Sequence, residues 1–294
     1  MPVADSAVRI ADMNNHPVFV ALLLFVSSLV WSVDEGPRTV LNVAYRPAAE
    51  SDPAYARCRV DFYLPAGKNF ATLVWFHGGG LEKGERNDEF TSDLAKAYAQ
   101  HGIAVAAVSY RLSPAATFPS YIDDAAASFA YVYKQISNYG GNPKAVFIGG
   151  HSAGGYLTYM VTLDTSFLKA YGLTQDAIAG AIPVSGQTIT HKTVRKERSL
   201  EKFGVLVDVA SPLHFLRKDT PPMLVLAAEK DLPARVEENR LLVAIEQEMG
   251  NNAVSYFYAT DRDHGSIAKN MKNVDDPAAQ AVVEFIRRIA AQRQ

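Results

Sequence analysis

An α/β domain is what this sequence implies, with a largely parallel sheet covered by helices on both faces. Short, almost wholly apolar runs recur along the chain. Such runs belong to strands covered on both sides. Stretches with apolar residues at helical spacing lie between them. Strand and helix therefore alternate, the pattern of a sheet sandwiched by helices. Two further strand-like runs precede the alternating part and make the sheet mixed.

Residues 39–45 (TVLNVAY) read as the first strand. The stretch 46–55, with Pro47 and Pro53, is turn-like. Residues 57–64 (RCRVDFYL) alternate and are expected to pair antiparallel at the sheet edge. A turn at 65–69 leads into the apolar run 71–76 (ATLVWF). Further buried strands are expected at 103–109, 145–148, 178–184, 223–227 and 254–258. Helices are expected at 89–100, 121–136, 153–163, 235–249 and 278–291. The charged piece 187–198 (QTITHKTVRKER) is either an exposed connection or part of a small cap.

Chemistry points first to Gly150-His151-Ser152-Ala153-Gly154. A strand leads in and a helix leads out, so Ser152 sits on a sharp turn that exposes its hydroxyl. The alternative is a serine that only caps the following helix. A hydroxyl needs a base, and the base needs an orienting group. In open α/β sheets such groups lie beyond the C-terminal ends of strands. Asp231 follows the strand at 223–227 and His264 follows the one at 254–258. The order Ser152, Asp231, His264 suits this architecture. Glu229, Asp208, Asp261 and Asp263 are the alternative acids; Glu229 is the serious rival, and Asp261 and Asp263 read as local loop residues. His16, His101, His191 and His214 occupy positions less suited to a base.

The fourth element is His77-Gly78-Gly79-Gly80, directly after the strand at 71–76. Glycines there leave backbone N–H groups unobstructed. The N–H groups of Gly79, Gly80 and Ala153 are the expected donors to an oxyanion, usually the largest catalytic term in acyl transfer. His77 reads as a brace for this loop rather than a base. Leu81 and His151 are candidate lining of a substrate pocket. Arg111 reads as a loop holder, and Asp123 and Asp124 as structural residues early in a helix, where acidic groups are favoured. No metal motif is present, so neither metal nor cofactor is expected.

Together these residues resemble the α/β-hydrolase superfamily, and within it the serine carboxylesterases with an HGGG oxyanion loop, related to the hormone-sensitive-lipase-like enzymes. The likeness runs from about residue 39 to the C-terminus. It rests on the HGGG loop, Ser109-Tyr110-Arg111-Leu112, Pro119 to Asp124, Asn138 to Pro143, the Ser152 motif, Ser211-Pro212, Asp231 and His264. It implies a sheet of about eight strands, ester hydrolysis through an acyl-enzyme and no cofactor. The chain before the HGGG loop is short, so at most a small cap is expected. Ser185-Gly186-Gln187 and the basic stretch after it look like the compact bacterial esterases. That subgroup also resembles arylformamidases and enzymes removing acetyl or feruloyl groups from polysaccharides. A small, short-acyl ester is the preferred substrate. Arylformamide hydrolysis, polysaccharide deacylation and a binding protein on a hydrolase scaffold are the alternatives.

The chain has 294 residues, 48% of them hydrophobic, enough for one sizeable core. Lys and Arg number 29 against 31 Asp and Glu, with no long basic stripe, so no nucleic-acid surface is expected. Cys58 is the single cysteine, which rules out an intramolecular disulfide, and it reads as an inert strand residue. Nothing in the sequence sets an oligomeric state. Residues 17–31 (PVFVALLLFVSSLVW) are uncharged, about as long as a signal-peptide core and short for a membrane span. Residues 1–32 are therefore expected to be a signal peptide or N-terminal anchor, and 33–294 the catalytic domain. Export to the periplasm or medium, with no stable span after processing, is the favoured expectation. A retained anchor and a cytoplasmic protein are the alternatives, since Asp5 and Asp12 offset Arg9.

Overall fold

A single sheet runs through the domain in the computed structural model, which describes residues 36–47, 53–201 and 204–293. The expected signal segment lies outside the described residues. The strands are β1 (Arg38–Ala44), β2 (Arg59–Leu64), β3 (Phe70–Phe76), β4 (Ile103–Ser109), β5 (Gly141–His151), β6 (Ala181–Val184), β7 (Met223–Lys230) and β8 (Val254–Asp263). They lie side by side in the order β1-β2-β4-β3-β5-β6-β7-β8. β2 is antiparallel to both neighbours, and every other pairing is parallel. This is the mostly parallel eight-stranded sheet expected of an α/β-hydrolase.

The apolar runs explain themselves once the two faces are separated. Alternate residues of a strand point to opposite faces. On β3, Val74 and Phe76 join one core and Leu73 and Trp75 the other. The first core receives α2 (Ser120–Gln135), α3 (Ala153–Leu163) and α6 (Arg235–Glu248) through Phe129, Met160 and Leu242. The second receives α1 (Glu89–Gln100) and α8 (Pro277–Gln292) through Tyr98, Val282 and Ile286. Three short helices complete the set among the described residues: α4 (Thr165–Lys169), α5 (Lys192–Glu197) and α7 (Ser266–Asn270).

Two expectations about the first strands need correction. β2 is not the edge, because β1 covers it and itself alternates between half-buried and exposed positions. Arg57 belongs to a 3₁₀ turn, where its guanidinium reaches the carbonyl of Tyr110 at 3.0 Å. Cys58 is buried there, and burial pushes its thiol up to about 11. A thiol so placed is protonated and inert.

Arg111, just past β4, ties the sheet to α2. Its backbone N–H and both arms of its guanidinium donate to the Asp124 carboxylate at 3.0, 2.8 and 2.8 Å. Arg46 approaches the same carboxylate at 3.1 Å, and Asp124 has no exposed surface. Asp124→Ala should destabilise the protein by about 3–5 kcal/mol, because it strands a buried guanidinium. The midpoint of urea unfolding measures this, and a loss under about 1 kcal/mol would contradict the buried-pair account.

Candidate active site

Ser152 stands between the end of β5 and the start of α3 with φ 57° and ψ −112°. Side chains rarely adopt that backbone, and such strain persists only where the surroundings over-determine it. The surroundings here are tight. Ser152 N–H donates to the Val184 carbonyl at 2.8 Å. A Cβ on Gly154 would lie 2.0 Å from the carbonyl oxygen of Phe76, and one on Gly155 2.8 Å from the Cα of Gly186. α3 can therefore press directly on the ends of β3 and β6. Ser152 makes no side-chain capping bond to α3, so the capping alternative falls. Its hydroxyl lies 2.9 Å from Nε2 of His264.

The placement of His264 and its partner follows from strand register. β7 and β8 pair through Ala228↔Ala259 and, after a register shift, through Lys230↔Asp263. The next residues on the two strands are Asp231 and His264, which therefore emerge side by side. Nδ1 of His264 lies 2.6 Å from Oδ1 of Asp231. Both strands run further than the apolar pattern indicates. Their last rungs carry Glu229, Lys230, Asp261 and Arg262, which are polar because that end of the ladder is open to solvent. Glu229, the rival acid, is exposed and instead accepts the N–H of Asp261 at 2.7 Å. Asp263 closes a local turn by accepting from Gly265 and Ser266 N–H.

The Asp231 carboxylate is fully buried, and His264 keeps 22% of its side chain exposed. Burial alone would raise the carboxyl's pKa. Hydrogen bonds from His264 and Ser185, with the N–H of Leu232 at 2.7 Å, outweigh it and hold Asp231 below the usual carboxylate range. Ser185 and Arg235 escaped the sequence reading. Ser185 sits just after β6 at φ 50° and donates its hydroxyl to Oδ2 of Asp231. Arg235, buried at the start of α6, donates to the Ser185 carbonyl. The available signal was Ser185-Gly186 directly after an apolar run, the same strand-end position that singled out Asp231 and His264.

His151 donates from Nε2 to the backbone carbonyl of His264 at 2.7 Å and holds the loop that carries it. Burial, aided by the neighbouring His264, pushes His151 down to about 3. It also borders a cavity with Phe90, Gly265 and Lys269. His77 is buried and stacks on Tyr110 with ring centres 4.4 Å apart. Its Nδ1 donates to the Gly78 carbonyl at 2.7 Å, and the Tyr110 hydroxyl donates to the His77 carbonyl at 2.9 Å. His77 therefore braces the glycine loop.

That loop lies against the serine turn. A Cβ on Gly78 would be 3.4 Å from the Cβ of Ser152. Gly79 and Gly80 have φ of 110° and 67°. Their carbonyls turn away from the serine: that of Gly79 accepts from Glu82 and Lys83 N–H, and that of Gly80 from the Thr193 hydroxyl. No backbone or side-chain acceptor among the described residues takes the N–H of Gly79 or Gly80. Ala153 is the first residue of α3, so its N–H has no partner within the helix. Leu81, at φ 63°, is fully buried in the core shared with α2 and α3.

The stretch 187–198 is a packed wall, not an exposed connection. Residues 187–191 are buried, and α5 follows. Thr188 N–H donates to Glu238 at 3.0 Å, and Glu197 accepts the N–H of Phe118 at 3.0 Å. Two of its charges are tied down as well, Lys196 on Glu82 and Arg198 on Asp208.

BD-FAE matches residues 60–180, and the prolyl oligopeptidase family matches residues 122–292, which include Ser152, Asp231 and His264. The chain belongs to the prolyl oligopeptidase family. Esterase LipQ of Mycobacterium tuberculosis is 25% identical over 249 residues, 78% of this chain and 58% of its own length. The carboxylic ester hydrolase LipM of the same organism, named as probable, is 28% identical over 202 residues, covering 63% and 46%. The chain thus spans about half the length of these curated relatives. Among solved structures, a truncated carbohydrate esterase from gut microbiota has a TM-score of 0.70 at 16% identity, covering 88% of this chain and 99% of that one. An esterase of Pyrobaculum calidifontis has a TM-score of 0.60 at 22% identity, covering 80% and 81%. These likenesses show the α/β-hydrolase fold.

The buried imidazoles make stability depend on pH. Burial lowers His77 from 6.5 to about 4. Below its ordinary value the unfolded chain takes up a proton that the folded chain refuses. Stability should therefore fall as pH drops from about 6.5 to about 4, by about 1.4 kcal/mol per pH unit for His77 alone. Urea midpoints across that range measure the slope, and His77→Gln should flatten it. An unchanged slope in that variant would contradict a buried neutral ring.

Proposed function

We propose that the protein is a serine carboxylic ester hydrolase acting on small, short-acyl esters. The observation that carries the reading is the unbroken relay from Ser152 Oγ to His264 Nε2 at 2.9 Å and from His264 Nδ1 to Asp231 at 2.6 Å. His264 takes the Ser152 proton as the oxygen attacks the ester carbonyl. Asp231 orients the imidazole and stabilises it once charged. The carbonyl oxygen gains negative charge and lies against the N–H groups of Gly79, Gly80 and Ala153. The tetrahedral adduct collapses, the bond to the alcohol oxygen breaks, and His264 gives that oxygen the proton. Water, deprotonated by His264, then attacks the acyl-Ser152 carbonyl, the bond to Ser152 Oγ breaks, and His264 returns the proton to that oxygen as the acid leaves. The likeness to the esterase LipQ and to LipM supports ester hydrolysis. The pinned stretch 187–198, in place of a large apolar lid among the described residues, supports small substrates. Amide hydrolysis is the second reading, favoured by the match to the prolyl oligopeptidase family.

Ser152→Ala should lower hydrolysis of 4-nitrophenyl acetate by at least about 10³-fold. A fluorophosphonate probe should label the native protein at Ser152. Hydrolysis persisting in the pure variant, or a native protein that does not label, would sink the reading. A proline anilide assayed beside the ester separates the two substrate classes. Ser185→Ala removes a hydrogen bond to a charged group and should lower kcat about tenfold with KM little changed. An unaltered kcat would remove Ser185 from the support of Asp231.

A further inference from the structure

The side chain of Lys192 lies over the glycine loop. A Cβ placed on Gly80 would be 3.5 Å from Cε and 3.8 Å from Nζ of Lys192. The backbone beneath that side chain is held from several directions. Thr193 donates its hydroxyl to the Gly80 carbonyl, which joins α5 to the loop itself. Lys192 N–H donates to the Gln187 side chain at 3.2 Å, and Gln187 is buried. His191, also buried, accepts the N–H of Thr193 at 3.2 Å.

The charge on this side chain is uncompensated. Lys192 has no ion-pair partner among the described residues. The acidic residues of the loop are already engaged, Glu82 with Lys196 and Glu85 with Arg57. The aliphatic stem of a second lysine passes the preceding glycine, with Cγ of Lys83 3.1 Å from where a Gly79 Cβ would be. Lys83 is likewise exposed and without an ion-pair partner among the described residues. Of the two consecutive glycines proposed to hold the ester oxygen, Gly80 therefore has a free ammonium group beside it. A neutral short ester makes no use of it.

We propose that Lys192 is a specificity-determining residue that selects esters carrying a carboxylate. The inference rests on the ester-hydrolase reading and names its substrate class. An ester whose carbonyl oxygen lies at Gly79 and Gly80 passes beneath Lys192. A carboxylate a few ångströms along either the acyl or the alcohol part meets the ammonium. The pair is exposed, so the preference is modest, about fivefold, and it weakens as salt screens it.

The experiment compares kcat/KM by proton release for two matched pairs. Monoethyl adipate against ethyl hexanoate places the carboxylate on the acyl side. 6-Acetoxyhexanoate against hexyl acetate places it on the alcohol side. In at least one pair the anionic ester should be favoured about fivefold at low ionic strength, and less in about 0.5 M sodium chloride. Lys192→Met should bring that ratio close to one, and Lys192→Arg should retain it. A native protein that hydrolyses the neutral esters but shows no preference in either pair overturns the role of Lys192 alone. So does a preference that survives Lys192→Met. A protein inert towards all four esters overturns the ester reading and this inference with it.

Discussion

The close approach of α3 to the end of β3 is the constraint on which the site depends. A helix can follow Ser152 so abruptly only because Gly154 lets its backbone meet the carbonyl of Phe76. That contact sets the unusual backbone of Ser152, and the backbone aims the hydroxyl at His264 instead of at the helix end. It also brings the serine turn against the glycine loop, since Phe76 is the last residue before His77. One steric contact thus joins the pieces proposed as nucleophile and oxyanion donors.

A second layer keeps the pieces from drifting. His77 and Tyr110 brace the glycine loop, His151 holds the backbone of His264, and Ser185 with Arg235 holds Asp231. Most of these groups are buried. The three histidines that support the site, His77, His151 and His191, are all held neutral by burial. They serve as fixed hydrogen-bonding parts around the His264 proposed as the base.

Much of this arrangement was legible in the chain. Ile103–Ser109 and Ala153–Leu163 were readable to the residue, because burial on both faces leaves no polar interruption and Ser152 marks the helix start. The same logic failed at the ends of β7 and β8, where hydrogen bonding continues past the last buried rung and the residues turn polar. It also failed for Ser185 and Arg235. The strand-end place of Ser185 names no partner, and an arginine at a helix start carries no pattern, until the fold brings Ser185 to Asp231 and Arg235 to Ser185. Charge left the stretch 187–198 open between an exposed connection and a small cap, because sequence does not show that residues 187–191 are buried or that Lys196 and Arg198 meet Glu82 and Asp208.

The register of β7 and β8 has a consequence for how such a site can change. Asp231 and His264 are neighbours because Lys230 faces Asp263, not because of anything between them in the chain. Provided the start of α6 keeps Arg235, the rest of that helix and the loop after it can lengthen or shorten without altering the spacing of the two side chains. A single inserted residue within the ladder itself would turn one of them to the opposite face. The scaffold is therefore plastic in its connections and unforgiving in its rungs, so new surfaces can be grafted around an unchanged Asp231–His264 pair.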